Sequence, residues 1–159
     1  MSTTAASPRT RPAAAPASPL NRNIDLALLV LRVVVGIAFV MHGGQKVFSI
    51  GLGNVGGMFG QMGIPMPGVT GPLVAIVELL GGLALIFGVL TRLAGLGLAI
   101  DMLGAILLVH LKNGFFNPMG FEYPLTLLAV SAALAIAGAG AYSVDAAIAG
   151  RRSGGTRNS

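Results

Sequence analysis

Three cations, Arg32, His42 and Lys46, stand inside or at the rim of one apolar stretch, L-R-V-V-V-G-I-A-F-V-M-H-G-G-Q-K (31–46). Two acids, Glu78 and Asp101, lie within later apolar stretches, and His110 closes the second of these. An ionised group at a bilayer centre costs about 2.5–3.5 kcal/mol on insertion scales, so such groups persist where they pair or work. The chemistry open to this set is ion pairing, proton transfer, or hydrogen bonding to the polar head of a ligand. Other chemistries are closed. With no cysteine, the chain offers no disulfide, thiol relay, thiolate zinc site or cysteine-ligated iron–sulfur cluster. The glycines of G-L-G-N-V-G-G (51–57) follow no strand, and there is no nucleophilic triad or dinucleotide fingerprint.

The elements that position these residues follow from composition. Of 159 residues, 54% are hydrophobic and 9% charged, against about 25% charged in soluble domains. The apolar residues come in blocks, at about 24–48, 72–90, 93–111 and 124–142. The last three have about 19 residues each, or ~28 Å of helix, enough for a hydrocarbon core of ~30 Å. The expected fold is therefore an all-α membrane protein, a bundle of four transmembrane helices in one domain (24–148). Pro72 and Pro124 are expected in first turns, where a missing N–H is harmless. The turn at Thr91 and Arg92 makes spans two and three an antiparallel hairpin.

Residues 1–23, with Pro8, Pro12, Pro16 and Pro19 among Ala and Ser, read as a disordered tail, not as a cleaved signal. Residues 149–159 read as a basic disordered tail. Arg9, Arg11, Arg22, Arg92, Arg151, Arg152 and Arg157 fall on one side of a four-span arrangement, and Lys46 and Lys112 on the other. The positive-inside rule then puts both termini in the cytoplasm. The net charge of +5 resides mostly in the tails, which fits anionic lipid headgroups rather than nucleic acid. Val55 to Met62 reads as a short interfacial helix or as an irregular loop with apolar contacts. Phe115, Phe116, Phe121 and Tyr123 suit an interfacial aromatic belt, with substrate contact the alternative. Alanines at 129, 133, 137 and 141 read as a helix-packing stripe, with weaker pairs at Ala84 and Gly88 and at Gly97 and Gly104.

At ~100° per residue, Arg32, Gly36, Phe39, Gly43 and Lys46 share one face of the first span, and its glycines permit a close neighbour. Counted from the span ends, Arg32 lies ~12 Å deep and Asp101 ~14 Å, with Glu78 ~18 Å from the same side. These three are expected to form a buried ion cluster, either fixing register or lining a polar pocket. His42 and His110 both fall near ~27 Å, with Lys46 just beyond. Equal height makes a bis-histidine haem between His42 and His110 conceivable without requiring it, and ordinary interfacial histidines explain the same pattern. His42, Lys46 and Glu78 together could hold a quinone carbonyl.

With these residues placed, the chain resembles the DoxX family of small four-helix membrane proteins. The resemblance rests on an early arginine followed by G-x-x-F-x-x-H-G-x-Q-K (Gly36–Lys46) and M-G-I-P-M-P (Met62–Pro67). It continues through E-L-L-G-G-L-A-L-I-F-G-V-L-T-R-L-A (Glu78–Ala94), G-F-E-Y-P-L-T-L-L (120–128) and G-A-G-A-Y-S-V-D (138–145). It implies a multi-pass protein of the bacterial cytoplasmic membrane, a small subunit of, or accessory to, a quinone-linked or oxidative-stress redox complex. It also implies that Arg32, His42, Lys46, Glu78 and Arg92 match recurrent polar sites. A solute or proton transporter and a non-catalytic scaffold, alone or as a homo-oligomer, remain alternatives on the residues themselves.

Overall fold

The apolar blocks become helices because backbone N–H and C=O groups have no other partners in hydrocarbon. The computed structural model describes residues 19–116 and 118–155. Helix α1 (Pro19–Gly44) runs on through a wide π-type stretch, Gln45–Ile50. A short helix α2 (Leu52–Gln61) leads to α3 (Pro67–Phe87). Helix α4 (Thr91–Ala105) continues through a second π-type stretch, Ile106–His110, and a 3-10 turn, Leu111–Asn113. Helices α5 (Glu122–Ala137) and α6 (Val144–Gly155) complete the described chain, which contains no strand.

Three segments are long and apolar enough to cross a membrane: Leu20–Ile50, Pro67–Phe87 and Thr91–Asn113. Helix α5 is apolar but shorter, at 16 residues, or about 24 Å. The outside of the bundle is apolar: Val30, Val34, Ile37, Leu80, Leu93, Leu96 and Ile100 are all exposed. The inside holds Arg32, Glu78, Thr91 and Ser131 beside Phe39, Leu85, Leu98 and Leu134. A lipid-facing exterior around a partly polar interior marks a helical membrane protein.

Glycine sets the closest crossings. A Cβ on Gly36 would lie 2.8 Å from the Gly82 carbonyl oxygen, and one on Gly82 would lie 2.7 Å from that of Gly36. A Cβ on Gly43 would fall 2.8 Å from the Leu79 Cα. The glycine face of α1 is thus the face that meets α3. A Cβ on Gly95 would lie 2.8 Å from the Ser131 oxygen, so glycine also seats α4 on α5. Below, "base" is the end holding the α3–α4 turn, and "top" is the end holding α2 and the 114–121 loop.

Several boundaries differ from expectation. Helix α1 starts at Pro19, within the expected tail, and α6 occupies 149–155, where an irregular tail was expected; residues 1–18 and 156–159 lie outside the described residues. Helix α3 begins at Pro67, so Pro72 is interior and leaves the Gly68 carbonyl without its usual donor. Helix α5 stops at Ala137, not at Tyr142, because Gly138 (φ 87°) and Gly140 (φ 71°) turn the chain back across the base. Residues 55–61 are helical within α2, which Met62 caps, with Val55 and Gly56 buried, and α2 packs on the start of α3. The alanines at 129, 133, 137 and 141 are exposed, and α5 instead buries Leu127, Ser131 and Leu134.

Gly82→Val should lower stability in detergent by about 1–3 kcal/mol, because the added side chain meets backbone that cannot move aside. Gly104→Ala, whose Cβ would meet nothing within 4 Å, should shift stability by less than about 0.5 kcal/mol. Denaturant unfolding of the two variants side by side checks this.

Candidate functional site

The charged residues separate into two groups at opposite ends of the bundle. At the base, Arg32 is fully buried. Its Nη1 donates to the Leu85 carbonyl at 3.2 Å and its Nη2 to the Tyr142 carbonyl at 2.5 Å. Leu85 belongs to the last turn of α3, where its carbonyl, which also accepts from the Gly88 N–H at 3.2 Å, lies at the negative end of the helix dipole. A guanidinium supplies both a positive charge and a planar fan of donors there. Gly88, at φ 67°, caps α3 and leaves the room: a Cβ on it would overlap the guanidinium.

Asp145 supplies the matching negative charge at the base. Its two oxygens accept from the Leu90 N–H (2.8 Å) and the Thr91 N–H (3.0 Å), and its own N–H donates to the Gly88 carbonyl (2.9 Å). Leu90 is left-handed (φ 47°), a conformation costing roughly 1–2 kcal/mol for a residue with a Cβ, and the carboxylate offsets that cost. Asp25 of α1 accepts from the Ala141 N–H at 2.9 Å. Arg32, Asp25 and Asp145 thereby fasten the 138–145 segment to α1 and to the α3–α4 turn.

This corrects the expected cluster. Arg32 does not join Glu78 and Asp101; the Leu85 carbonyl that it binds is seven residues down α3 from Glu78, roughly 10 Å. Depth counting assumed a carboxylate partner, whereas the helix-terminal carbonyls claimed the guanidinium. The roles of Asp145 and Asp25 went unread, because a side chain that caps a distant helix leaves no local spacing to recognise.

Near the top, the structure brings most of the other candidates to one cavity of about 600 Å³ among α1, α2, α3, α4 and α5. Lys46 donates to the Glu78 carboxylate in a close ion pair, with Glu78 almost wholly buried. Asp101 lines the same cavity, within electrostatic reach of both. Its Oδ2 is buried without a hydrogen-bond partner among the described residues. His42, Lys46, Glu78, Asp101 and His110 are therefore assembled on one cavity, and Arg32 is not. Its remaining wall is mostly apolar, with Phe39, Val77, Met102 and Leu127.

The two histidines are already engaged. His42 lies 6.1 Å from the Tyr123 ring centre, and His110 Nδ1 is 2.9 Å from the Met119 carbonyl oxygen. Both π-type stretches adjoin this cavity, one containing Lys46 and the other ending in His110. A π turn carries one residue more than an α turn, which re-aims the side chains beyond it. Residue spacing calculated for an α-helix does not reveal that. Gly97 and Gly104, read as packing positions, line the cavity instead.

The fold and the cavity define a small helical membrane protein with buried charges gathered at a ligand-sized space. A family model, DoxX, matches residues 27–111, and the chain belongs to the DoxX family. It is 36% identical over 115 residues, 72% of this chain, to CatD of Bacillus subtilis (strain 168), whose name proposes an oxidoreductase; the match covers 83% of that protein. It is 37% identical over 123 residues, 76% of this chain and 91% of the relative, to the inner membrane protein YqjF of Escherichia coli (strain K12). It is also 36% identical over 115 residues, 68% of this chain and 69% of the relative, to the membrane protein Rv3486 of Mycobacterium tuberculosis (strain ATCC 25618 / H37Rv). No solved structure gives a significant match.

Arg32→Met should destabilise the protein by about 1–3 kcal/mol, since it takes a charged donor from the Leu85 and Tyr142 carbonyls. Asp145→Asn, which keeps one accepting oxygen, should cost about 1 kcal/mol, and Asp145→Ala more. Unfolding midpoints of the purified variants in detergent provide the check.

Proposed function

We propose that this chain is a small quinone-binding subunit of, or accessory to, a redox complex of a bacterial cytoplasmic membrane. The observation that carries the reading is the cavity of about 600 Å³, where Lys46, Glu78 and Asp101 meet a largely apolar wall. Its volume falls in the ~300–1,000 Å³ range of small-molecule sites, which combine apolar walls with a few placed polar groups. A quinone head matches that division. Its carbonyl oxygens accept hydrogen bonds from the Lys46 ammonium, and its ring and substituents occupy the apolar wall. Glu78 holds the ammonium in place, and Asp101, whose Oδ2 has no partner among the described residues, is the group to exchange a proton with a bound oxygen. The oxidoreductase name of the CatD relative agrees with this assignment.

Titration of a ubiquinone or menaquinone analogue into protein in lipid nanodiscs should show saturable binding. Glu78→Gln and Lys46→Met should each weaken it at least about tenfold. Binding that does not saturate, or that is unchanged in Glu78→Gln, overturns the assignment. A transporter would instead give solute flux in proteoliposomes above that of empty vesicles. A scaffold would retain its membrane partners in pull-downs after Glu78→Gln.

The topology proposed with it has one domain over 24–148, α5 as a fourth span, and both termini in the cytoplasm, with the cavity near the outer surface. The distribution of arginine supports this. Because the chain has no cysteine, single replacements report on it directly. Lys112→Cys should react with an impermeant maleimide on intact spheroplasts, and Arg151→Cys only after permeabilisation. The reverse pattern inverts the topology, and labelling of both from outside removes the fourth span.

A further inference from the structure

We infer that the ligand reaches this cavity from within the hydrocarbon, through the cleft between α3 and α4, and that it is a quinone whose isoprenoid tail stays in that cleft. The inference rests on the quinone reading above and adds a route and a tail to it. Helices α3 and α4 are held together near the base by their short turn and by direct contact. A Cβ on Gly81 would lie 3.0–3.2 Å from the branched end of Leu98. Six residues beyond Leu98, about 9 Å nearer the top, a Cβ on Gly104 would meet nothing within 4 Å. Leu73, Val74 and Val77 of α3 and Gly97, Ile100 and Gly104 of α4 line the cavity together, so it occupies the space between these stretches of the two helices.

Leu73 on α3 and Ile100 and Leu108 on α4 line the cavity and are also exposed on the outside of the bundle, at 56%, 61% and 50%. A side chain that belongs to both surfaces stands at a rim. Two other seams are shut by backbone contact: α1 against α3 at Gly43, and α2 against α3 where a Cβ on Gly71 would lie 2.9 Å from the Gly56 nitrogen. The rim at α3 and α4 is aliphatic, unlike the top, where His42, Met62, Pro118 and Tyr123 line the cavity. Lys46, Glu78 and Asp101 are more buried in the same space. That sequence of surfaces, from apolar rim to charged interior, fits an amphipathic ligand with a hydrocarbon tail. A water-soluble solute would gain nothing from the rim.

The test uses the protein in nanodiscs and a quinone carrying a photoreactive group on its isoprenoid tail, with adducts mapped by peptide mass spectrometry. Adducts should fall at Leu73, Ile100 and Leu108 and disappear with excess unlabelled tailed quinone. Gly104→Leu should fill the cleft, lowering affinity for the tailed quinone at least about tenfold while a tail-less head analogue changes less than about twofold. Competable adducts confined to Met62 or Pro118 overturn the route but leave the quinone reading standing. Equal affinity for tailed and tail-less forms overturns the tail. Adducts displaced by phospholipid but not by quinone show an acyl chain in the cleft and overturn the proposal. Failure of both quinones to bind overturns the underlying reading.

Discussion

A charge carried into hydrocarbon must bring its partner with it, and the architecture of this protein follows from how Arg32 obeys that constraint. Its guanidinium takes one carbonyl from the end of α3 and another from the segment after α5, with Asp145 close enough to balance its charge. Three parts of the chain distant in sequence are thereby held at one point. The glycines at 36, 43 and 82 then let α1 and α3 lie close along their length. Removing the guanidinium would take a charged donor from both carbonyls and leave the 138–145 segment to its Asp25 and Asp145 contacts.

With the base closed, the top is free to be different. Lys46 and Glu78 satisfy each other, while Asp101 keeps one oxygen unpartnered in the same cavity. The contrast separates architecture from binding. At the base, both Asp145 oxygens and two guanidinium nitrogens are bonded, while Arg32 Nε and Thr91 Oγ1 stay unpartnered among the described residues, outside the cavity. At the top, the unpartnered Asp101 oxygen belongs to a residue that lines open space. Gly104 contributes by leaving that space vacant, not by drawing helices together.

The existence and order of the long helices were legible because a run of apolar residues in lipid has little choice but to be helical. The glycine face of α1 was legible too, since Gly36, Phe39, Gly43 and Lys46 keep helical spacing. Three things were not. The end of α5 depends on Gly138 and Gly140 turning back to reach Asp25 and Arg32, contacts that span more than a hundred residues. The partner of Arg32 was hidden because backbone carbonyls have no letter in the sequence. The π-type turns at Lys46 and before His110 were hidden as well, since they shift direction without changing composition, although depth counting had already put His42, Lys46 and His110 at one end. Depth counting placed Glu78 and Asp101 at neighbouring levels, and both do line one cavity; it failed for Arg32 because height says nothing about which donor a helix end requires.

The fastening at the base also bears on how the chain is made. Arg32 is synthesised early, yet one of its acceptors, the Tyr142 carbonyl, follows 110 residues later. At ~5–20 residues per second, that is a delay of about 5–20 s. During that interval the first span holds a guanidinium that still lacks one of its final partners, so it must wait at the lipid headgroups, beside the translocation machinery, or in a temporary arrangement. Final seating of the first helix is thus timed by completion of the last, and a nascent chain cut short before Tyr142 leaves an arginine that quality-control proteases can recognise.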